Sequence, residues 1–212
     1  MLTVLVTNTK GGCGKTTIAT NLAGAFACAN FKTALADCDR QKSSLGWAKR
    51  RPGSAAEVTS VDWTRKITPL PQKTQRLIID APAALKRKQV EELVGMADMV
   101  VLPVLPSVFD ENTTRKFLAR LDKLKPVRKG KRAVAVIGNR MRLRTKAAER
   151  LDDFLEDVGQ RAVTVLRDSQ FYGTAAMLGL SLFDYNDRRA LNFLQDWRPL
   201  LTFIDEATAK RK

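Results

Sequence analysis

Thr9-Lys10-Gly11-Gly12-Cys13-Gly14-Lys15-Thr16-Thr17 follows a short β-branched run, Leu2–Thr7, and opens an Ala-rich segment of helical spacing, Thr16–Asn30. A glycine-rich loop between a strand and a helix is the setting a phosphate-binding loop requires. The glycines let successive backbone N–H groups turn inward, and the helix N-terminus adds positive potential. In such a loop Lys15 reaches the β- and γ-phosphates and the Thr16 hydroxyl ligates Mg²⁺. The ordinary spacing GxxxxGK[ST] is broken once, because Thr9 stands where its first glycine belongs, and a second lysine, Lys10, comes early in the loop. Cys13 reads as a small filler; a thiol at a helix N-terminus is also a candidate for a lowered pKa and oxidative sensitivity.

Outward from the loop the chain alternates strand and helix. Strands are expected at Thr33–Asp37, Arg76–Asp80, Asp98–Val104, Ala133–Gly138 and Ala162–Leu166. Helices are expected at Ser43–Arg51, Thr145–Asp157, Asp168–Leu178 and Asp187–Lys210. Ser107 followed by Asp110 reads as a capping box opening a helix that runs to Leu124. Residues 52–74, with scattered Pro, Gly, Ser and Thr, read as loop with one short helix. Short apolar runs alternating with helices imply an α/β fold: a doubly wound, mostly parallel sheet with helices on both faces, in one domain spanning 1–212.

Composition narrows the chemistry. With 44% apolar and 28% charged residues in 212, the chain can bury a sizeable core. There is no histidine, which excludes Ser-His-Asp and Cys-His catalysis and any histidine-ligated metal. The three cysteines, Cys13, Cys28 and Cys38, form no CxxC pair and suit a reducing cytoplasm. No apolar run approaches the roughly 20 residues of a membrane-spanning helix, and no signal peptide is visible. The net charge of +15 is uneven: residues 115–150 carry 14 basic and 2 acidic side chains, which points to a polyanion-binding face.

The loop K-G-G-x-G-K-T-T with its early lysine resembles the deviant Walker A motif of the ParA/MinD ATPases, and the likeness covers nearly the whole chain. Leu35-Ala36-Asp37-Cys38-Asp39-Arg40-Gln41 resembles the family's D-x-D-P-Q segment, with Arg40 replacing the usual proline. Leu77-Ile78-Ile79-Asp80-Ala81-Pro82 resembles the Walker B strand and its D-x-P ending. Asp98–Asp110 and Leu166–Phe183 are also similar to this family.

The resemblance implies a P-loop ATPase using ATP and Mg²⁺, in which two subunits sandwich two nucleotides. Lys10 would then reach the partner's phosphates and Lys15 would neutralise charge in cis. Asp39 would position the attacking water, Thr16 and Asp80 would hold Mg²⁺, and Asp37 would lie in the metal's outer shell. Gly11, Gly12, Cys13, Gly14 and Thr17 would cradle phosphate, and Asn139-Arg140 would sit on the adenine side.

Within the family, iron–sulfur reductases need a downstream cysteine pair and tyrosine kinases a tyrosine-rich tail; neither is present. A pseudo-ATPase is disfavoured because every catalytic position is filled. Two readings remain. The first is a ParA-type positioning ATPase: an ATP-dependent homodimer on non-specific duplex DNA, cytoplasmic and nucleoid-associated. A cargo-bound partner would stimulate its slow hydrolysis, no membrane would be involved, and Arg167, Arg188 and Arg189 would fall in the DNA-contacting region. The opening VLVTNTKGGCGKTTIATNLAGAFA looks most like homologues that distribute carboxysomes; a plasmid is the other cargo considered. The second reading is a MinD-type ATPase docking a C-terminal amphipathic helix on membrane. Leu191, Leu194, Trp197, Leu201 and Ile204 would form its stripe, followed by Lys210-Arg211-Lys212.

Overall fold

The computed structural model describes residues 1–209, so Lys210-Arg211-Lys212 lies outside the described residues. Seven parallel strands form one sheet in the order β3-β2-β4-β1-β5-β6-β7. They are β1 (Leu2–Val6), β2 (Thr33–Asp37), β3 (Val58–Asp62), β4 (Arg76–Asp80), β5 (Met99–Val104), β6 (Ala133–Met141) and β7 (Thr164–Arg167). The helices are α1 (Lys15–Cys28), α2 (Ser43–Arg50), α3 (Arg87–Met96), α4 (Val108–Lys123), α5 (Lys125–Arg128), α6 (Lys146–Asp157), α7 (Gln170–Met177) and α8 (Arg188–Ala209).

Because strand side chains alternate, each strand feeds two cores. Val4, Val6 and Ile78 pack on one face with Ile18 and Leu22 of α1, Trp47 of α2, Phe171 of α7 and Trp197 of α8. Leu5, Leu77, Ile79 and Val100 pack on the other with Leu93 of α3, Phe117 and Leu121 of α4 and Phe154 of α6. This is the doubly wound arrangement expected from the sequence, and it is parallel throughout.

Three expectations need correction. Residues 58–62 form an edge strand inside the stretch read as loop with one short helix; of its five residues only Val58 is buried, so it carries little apolar signal. Helix α3 is an additional element, its apolar positions Val90, Leu93 and Val94 set among charged residues. The capping box does not form: the Ser107 side chain makes no cap hydrogen bond, and the Asp110 carboxylate turns away to a lysine in the glycine loop.

The stripe on α8 is largely core. Trp197, Leu200 and Ile204 are fully buried, Leu194 and Leu201 are partly buried against the same cluster, and Leu191 is exposed. No helix among the described residues is long and apolar enough to cross a membrane. A buried ion pair ties the segment before α8 to the sheet face carrying α1: Arg51 Nη2 lies 2.7 Å from Asp184 Oδ1, both side chains 5% exposed. The Arg51 guanidinium also donates to the carbonyls of Ala56 and Gly179.

Candidate nucleotide-binding site

The carboxyl ends of β1, β2 and β4 lie side by side, with Val6 and Asp37 both registered on Asp80. In an open parallel sheet this edge is where ligands bind. The glycine loop leaves β1 here and closes over the end of α1, with Gly12 and Gly14 at φ 75° and 94°. Gly14 caps α1 in the left-handed region, where a Cβ is strained. A Cβ there would also lie 2.2 Å from Asn139 Nδ2. That amide donates to the Cys13 carbonyl at 2.7 Å, so Asn139 at the end of β6 is a strut under the loop. Asn8 adds a second tie, its Nδ2 donating to the Pro103 carbonyl at 2.7 Å.

Lys15 is buried and its Nζ donates to the Lys10 carbonyl at 2.9 Å, inside the loop that phosphates would fill. Lys10 leaves the loop in the other direction: its Nζ lies 2.6 Å from Asp110 Oδ1 in the first turn of α4. Asp110 and Asn8 are the site neighbours that local spacing misses, since the partners of both are about a hundred residues away in sequence. Gly11 is exposed with open space around its Cα, and Thr16 and Thr17 are half-buried on the first turn of α1.

Asp80 is almost wholly enclosed. One oxygen accepts from the Ser44 hydroxyl, while Oδ1 has no hydrogen-bond partner. Burial pushes its carboxyl up to about 7, against the opposing pull of the Ser44 and Thr16 hydroxyls and Lys15. An orphaned oxygen on a buried carboxylate next to a threonine hydroxyl and a phosphate-loop lysine is a donor set suited to a divalent cation carried by phosphate.

Asp37 is also fully buried, but its oxygens are occupied. Oδ1 accepts from Asp39 N–H at 2.9 Å and Oδ2 from Leu45 N–H at 3.0 Å, so this carboxylate caps the first turn of α2. Burial raises its pKa, and the three amides of Leu45, Asp39 and Ser44 oppose that. Asp39 is half-buried, its Oδ1 accepting from Gln41 N–H at 3.0 Å, and Cys38 between them packs into the opposite core. The lowered thiol pKa considered for Cys13 is absent: burial raises it, outweighing Lys15.

Beside the loop an open cavity of about 500 Å³ is lined by Thr17, Asn139, Arg140, Arg142, Ser169 and Tyr172, among others. Arg140 is exposed at φ 53°, one step beyond Asn139. Of the three arginines expected to meet DNA, Arg188 and Arg189 are exposed at the start of α8, the latter 4.6 Å over the Phe171 ring. Arg167 is engaged within the fold: its Nε donates to Asp196 Oδ2 at 2.8 Å and its guanidinium stacks 4.8 Å over Phe193.

A glycine loop at the end of the first strand of a parallel sheet, with paired lysines and a buried carboxylate on the neighbouring strand, defines a P-loop nucleotide-binding protein. Residues 4–177 match the CobQ/CobB/MinD/ParA nucleotide binding domain (CbiA), and the chain belongs to that family. It is 25% identical over 193 residues to the Maintenance of carboxysome distribution protein A of Halothiobacillus neapolitanus, covering 88% of each chain. The fold is similar to that of a variant McdA from Cyanothece solved as its ATP complex (TM-score 0.73, 18% identity, 99% and 96% of the two chains). It is also similar to the MinD cell division protein of Aquifex aeolicus (TM-score 0.70, 17% identity, 95% and 98%).

Proposed function

We propose that this chain is a single-domain, Mg²⁺-dependent ATPase of the ParA type, which dimerises around ATP, binds duplex DNA without sequence preference and positions a carboxysome. The observation that carries this reading is the Lys10-Gly-Gly-Cys-Gly-Lys15 loop beside the buried Asp80 carboxylate with its unpartnered Oδ1, with Lys10 pointing out of its own loop. The similarity to the carboxysome distribution protein supports the cargo.

Lys15 and the inward N–H groups of residues 11–16 neutralise the phosphates in cis, with Lys15 exchanging the Lys10 carbonyl for a phosphate oxygen. Thr16 and Asp80 would hold Mg²⁺, which would supply charge neutralisation of the phosphates. Asp39 orients the attacking water. Asp37 positions Asp39 and α2 from behind, rather than touching the metal. Asn139 and Arg140 border the cavity that takes the base. Lys10 leaves Asp110 and reaches the phosphates of a second copy, so that the site is complete only in the dimer. A cargo-bound partner then stimulates an otherwise slow hydrolysis, which returns the dimer to monomers.

Arg188 and Arg189 present exposed charge for phosphate contact, while Arg167 holds α8 in place behind them. The membrane reading is weaker because Trp197, Leu200 and Ile204 are already committed to the core. The test is binding to random-sequence duplex with ATP, with ADP and without nucleotide. Tighter binding with ATP supports the reading; equal binding in all three states removes the link between nucleotide and DNA.

A further inference from the structure

The run of basic residues at 115–150 divides in the fold. Arg140 lies at the carboxyl end of β6 and Arg142, Arg144 and Lys146 follow it, with Arg140 and Arg142 lining the cavity beside the glycine loop. Lys123, Lys125, Arg128 and Lys129 precede its amino end, where Ala133 pairs with Met99. From Ala133 to Gly138 the strand covers about 17 Å, so the two groups face opposite ends of the sheet.

The amino-end group is built as a rigid platform. Helix α5 carries Pro126 in its first turn and ends at Arg128, with Gly130 just beyond it at a φ of 65°. The backbone closes on itself, with Gly130 N–H donating to the Val127 carbonyl and Lys131 and Arg132 N–H to the Pro126 carbonyl, at 2.8, 2.9 and 3.1 Å. Arg132 is turned inward and donates to the Gly95 carbonyl. Lys125, Arg128 and Lys129 are exposed, and none makes an ion pair among the described residues. Between Lys123 and Ala148 the chain has no acidic residue. Exposed lysines normally have carboxylates interspersed, so uncompensated cations on an ordered turn make a local positive field suited to closely spaced negative charge.

We propose that Lys125, Arg128 and Lys129 form a second phosphate-contact surface for duplex DNA, independent of nucleotide. Duplex is favoured over single strands because residues 118–150 contain no aromatic side chain for bases to stack on. It is favoured over an acidic peptide because the platform is an outward turn of exposed cations rather than a groove. Nucleotide independence follows from placement, since the turn packs against α4 at the amino end of β6, away from the glycine loop at the carboxyl ends of the strands. The inference rests on the reading of this chain as a DNA-binding ATPase for its choice of polyanion. It assigns weak, permanent binding to this turn and leaves the ATP-dependent increment to Arg188 and Arg189.

Fluorescence anisotropy with a labelled random duplex, across a salt series, tests it on the full chain. The comparison is between wild type, Lys125→Glu/Arg128→Glu/Lys129→Glu, its neutral counterpart with glutamine at all three positions, and Arg188→Glu/Arg189→Glu. Without nucleotide, the charge reversal should weaken binding at least tenfold. The neutral triple should lower the slope of log affinity against log salt by about 3, at roughly 0.9 per phosphate contact. The Arg188/Arg189 variant should lose the increment that ATP adds. Absence of nucleotide-free binding in the wild type, unchanged binding in both triple variants, or binding to anionic vesicles in place of duplex would overturn the proposal. An ATP increment in the wild type reports separately on the ATPase reading.

Discussion

Lys10 Nζ sits 2.6 Å from Asp110 Oδ1, and the Asp110 side chain is only 5% exposed while that of Lys10 is 42% exposed. The lysine that leaves its own phosphate loop is therefore held by a carboxylate in the first turn of α4. Any reach towards a second copy must first break this pair. A half-exposed ion pair contributes up to about 1 kcal/mol, a several-fold bias in a two-state equilibrium. Asp110→Asn should lower the ATP concentration needed for half-maximal dimerisation by about that factor, as read by light scattering at fixed protein concentration. Weaker dimerisation would assign Asp110 to the closed state instead.

Asp80 gives the site a pH dependence. Its carboxyl is raised by burial to about 7 from an ordinary 3.8, so the fold binds a proton that the unfolded chain has already lost. Apo stability should fall as pH rises from 4 through 7 and level off above. Mg²⁺ requires the ionised form, so metal-dependent ATP affinity should rise over the upper part of that range and plateau above pH 8. Asp80→Asn should flatten the apo melting curve against pH and abolish the magnesium effect on ATP binding.

Gly14 and Asn139 are coupled by contact. Gly14→Ala places a Cβ against the Asn139 amide at a φ of 94°, and should reduce ATP affinity by two orders of magnitude or more. Asn139→Ala removes the strut from the Cys13 carbonyl, a buried hydrogen bond worth about 1–3 kcal/mol, and should weaken binding roughly ten- to hundredfold. The double variant should not recover binding, because relieving the clash leaves the backbone strain. Calorimetric titration of all three distinguishes the two effects.

The Arg51–Asp184 pair governs stability rather than nucleotide chemistry. Burial alone would raise the Asp184 carboxyl, but hydrogen bonds from Arg51, Ser181 and the backbone outweigh it and hold the pKa below the ordinary 3.8. Its contribution is then fully present above that value and lost as pH falls through the lowered one. Arg51→Ala leaves a buried carboxylate unpaired and should cost about 3–5 kcal/mol by urea unfolding at neutral pH.

What the sequence makes legible is local. The phosphate loop is contiguous, and β4 runs apolar through Leu77, Ile78 and Ile79 up to Asp80 because both faces of the sheet are covered, so loop, fold class and Asp80 can all be found by inspection. Edge strand β3 cannot, since it fully buries only Val58 and sets Val61 half-buried among Thr59, Ser60 and Asp62. Side chains that work across the fold are also hidden. Asp110 has the spacing of a helix cap from Ser107, yet its partner is Lys10. Asn139 looks like a turn former and supports the loop from 126 residues away. Asp37 shares a motif with Asp39, but its oxygens are claimed by the amides of Asp39 itself and of Leu45 in α2.

The most direct test is the mass of the protein with Mg²⁺ and ATP, with ADP and without nucleotide, for wild type and Lys10→Ala, alongside ATP binding by each. A dimer closed by Lys10 acting in trans requires the 23.6 kDa chain to double in mass only with ATP. Lys10→Ala should bind ATP within a few-fold of wild type and stay monomeric. A wild type that remains monomeric when saturated with ATP, or a Lys10→Ala protein that dimerises equally well, would contradict it.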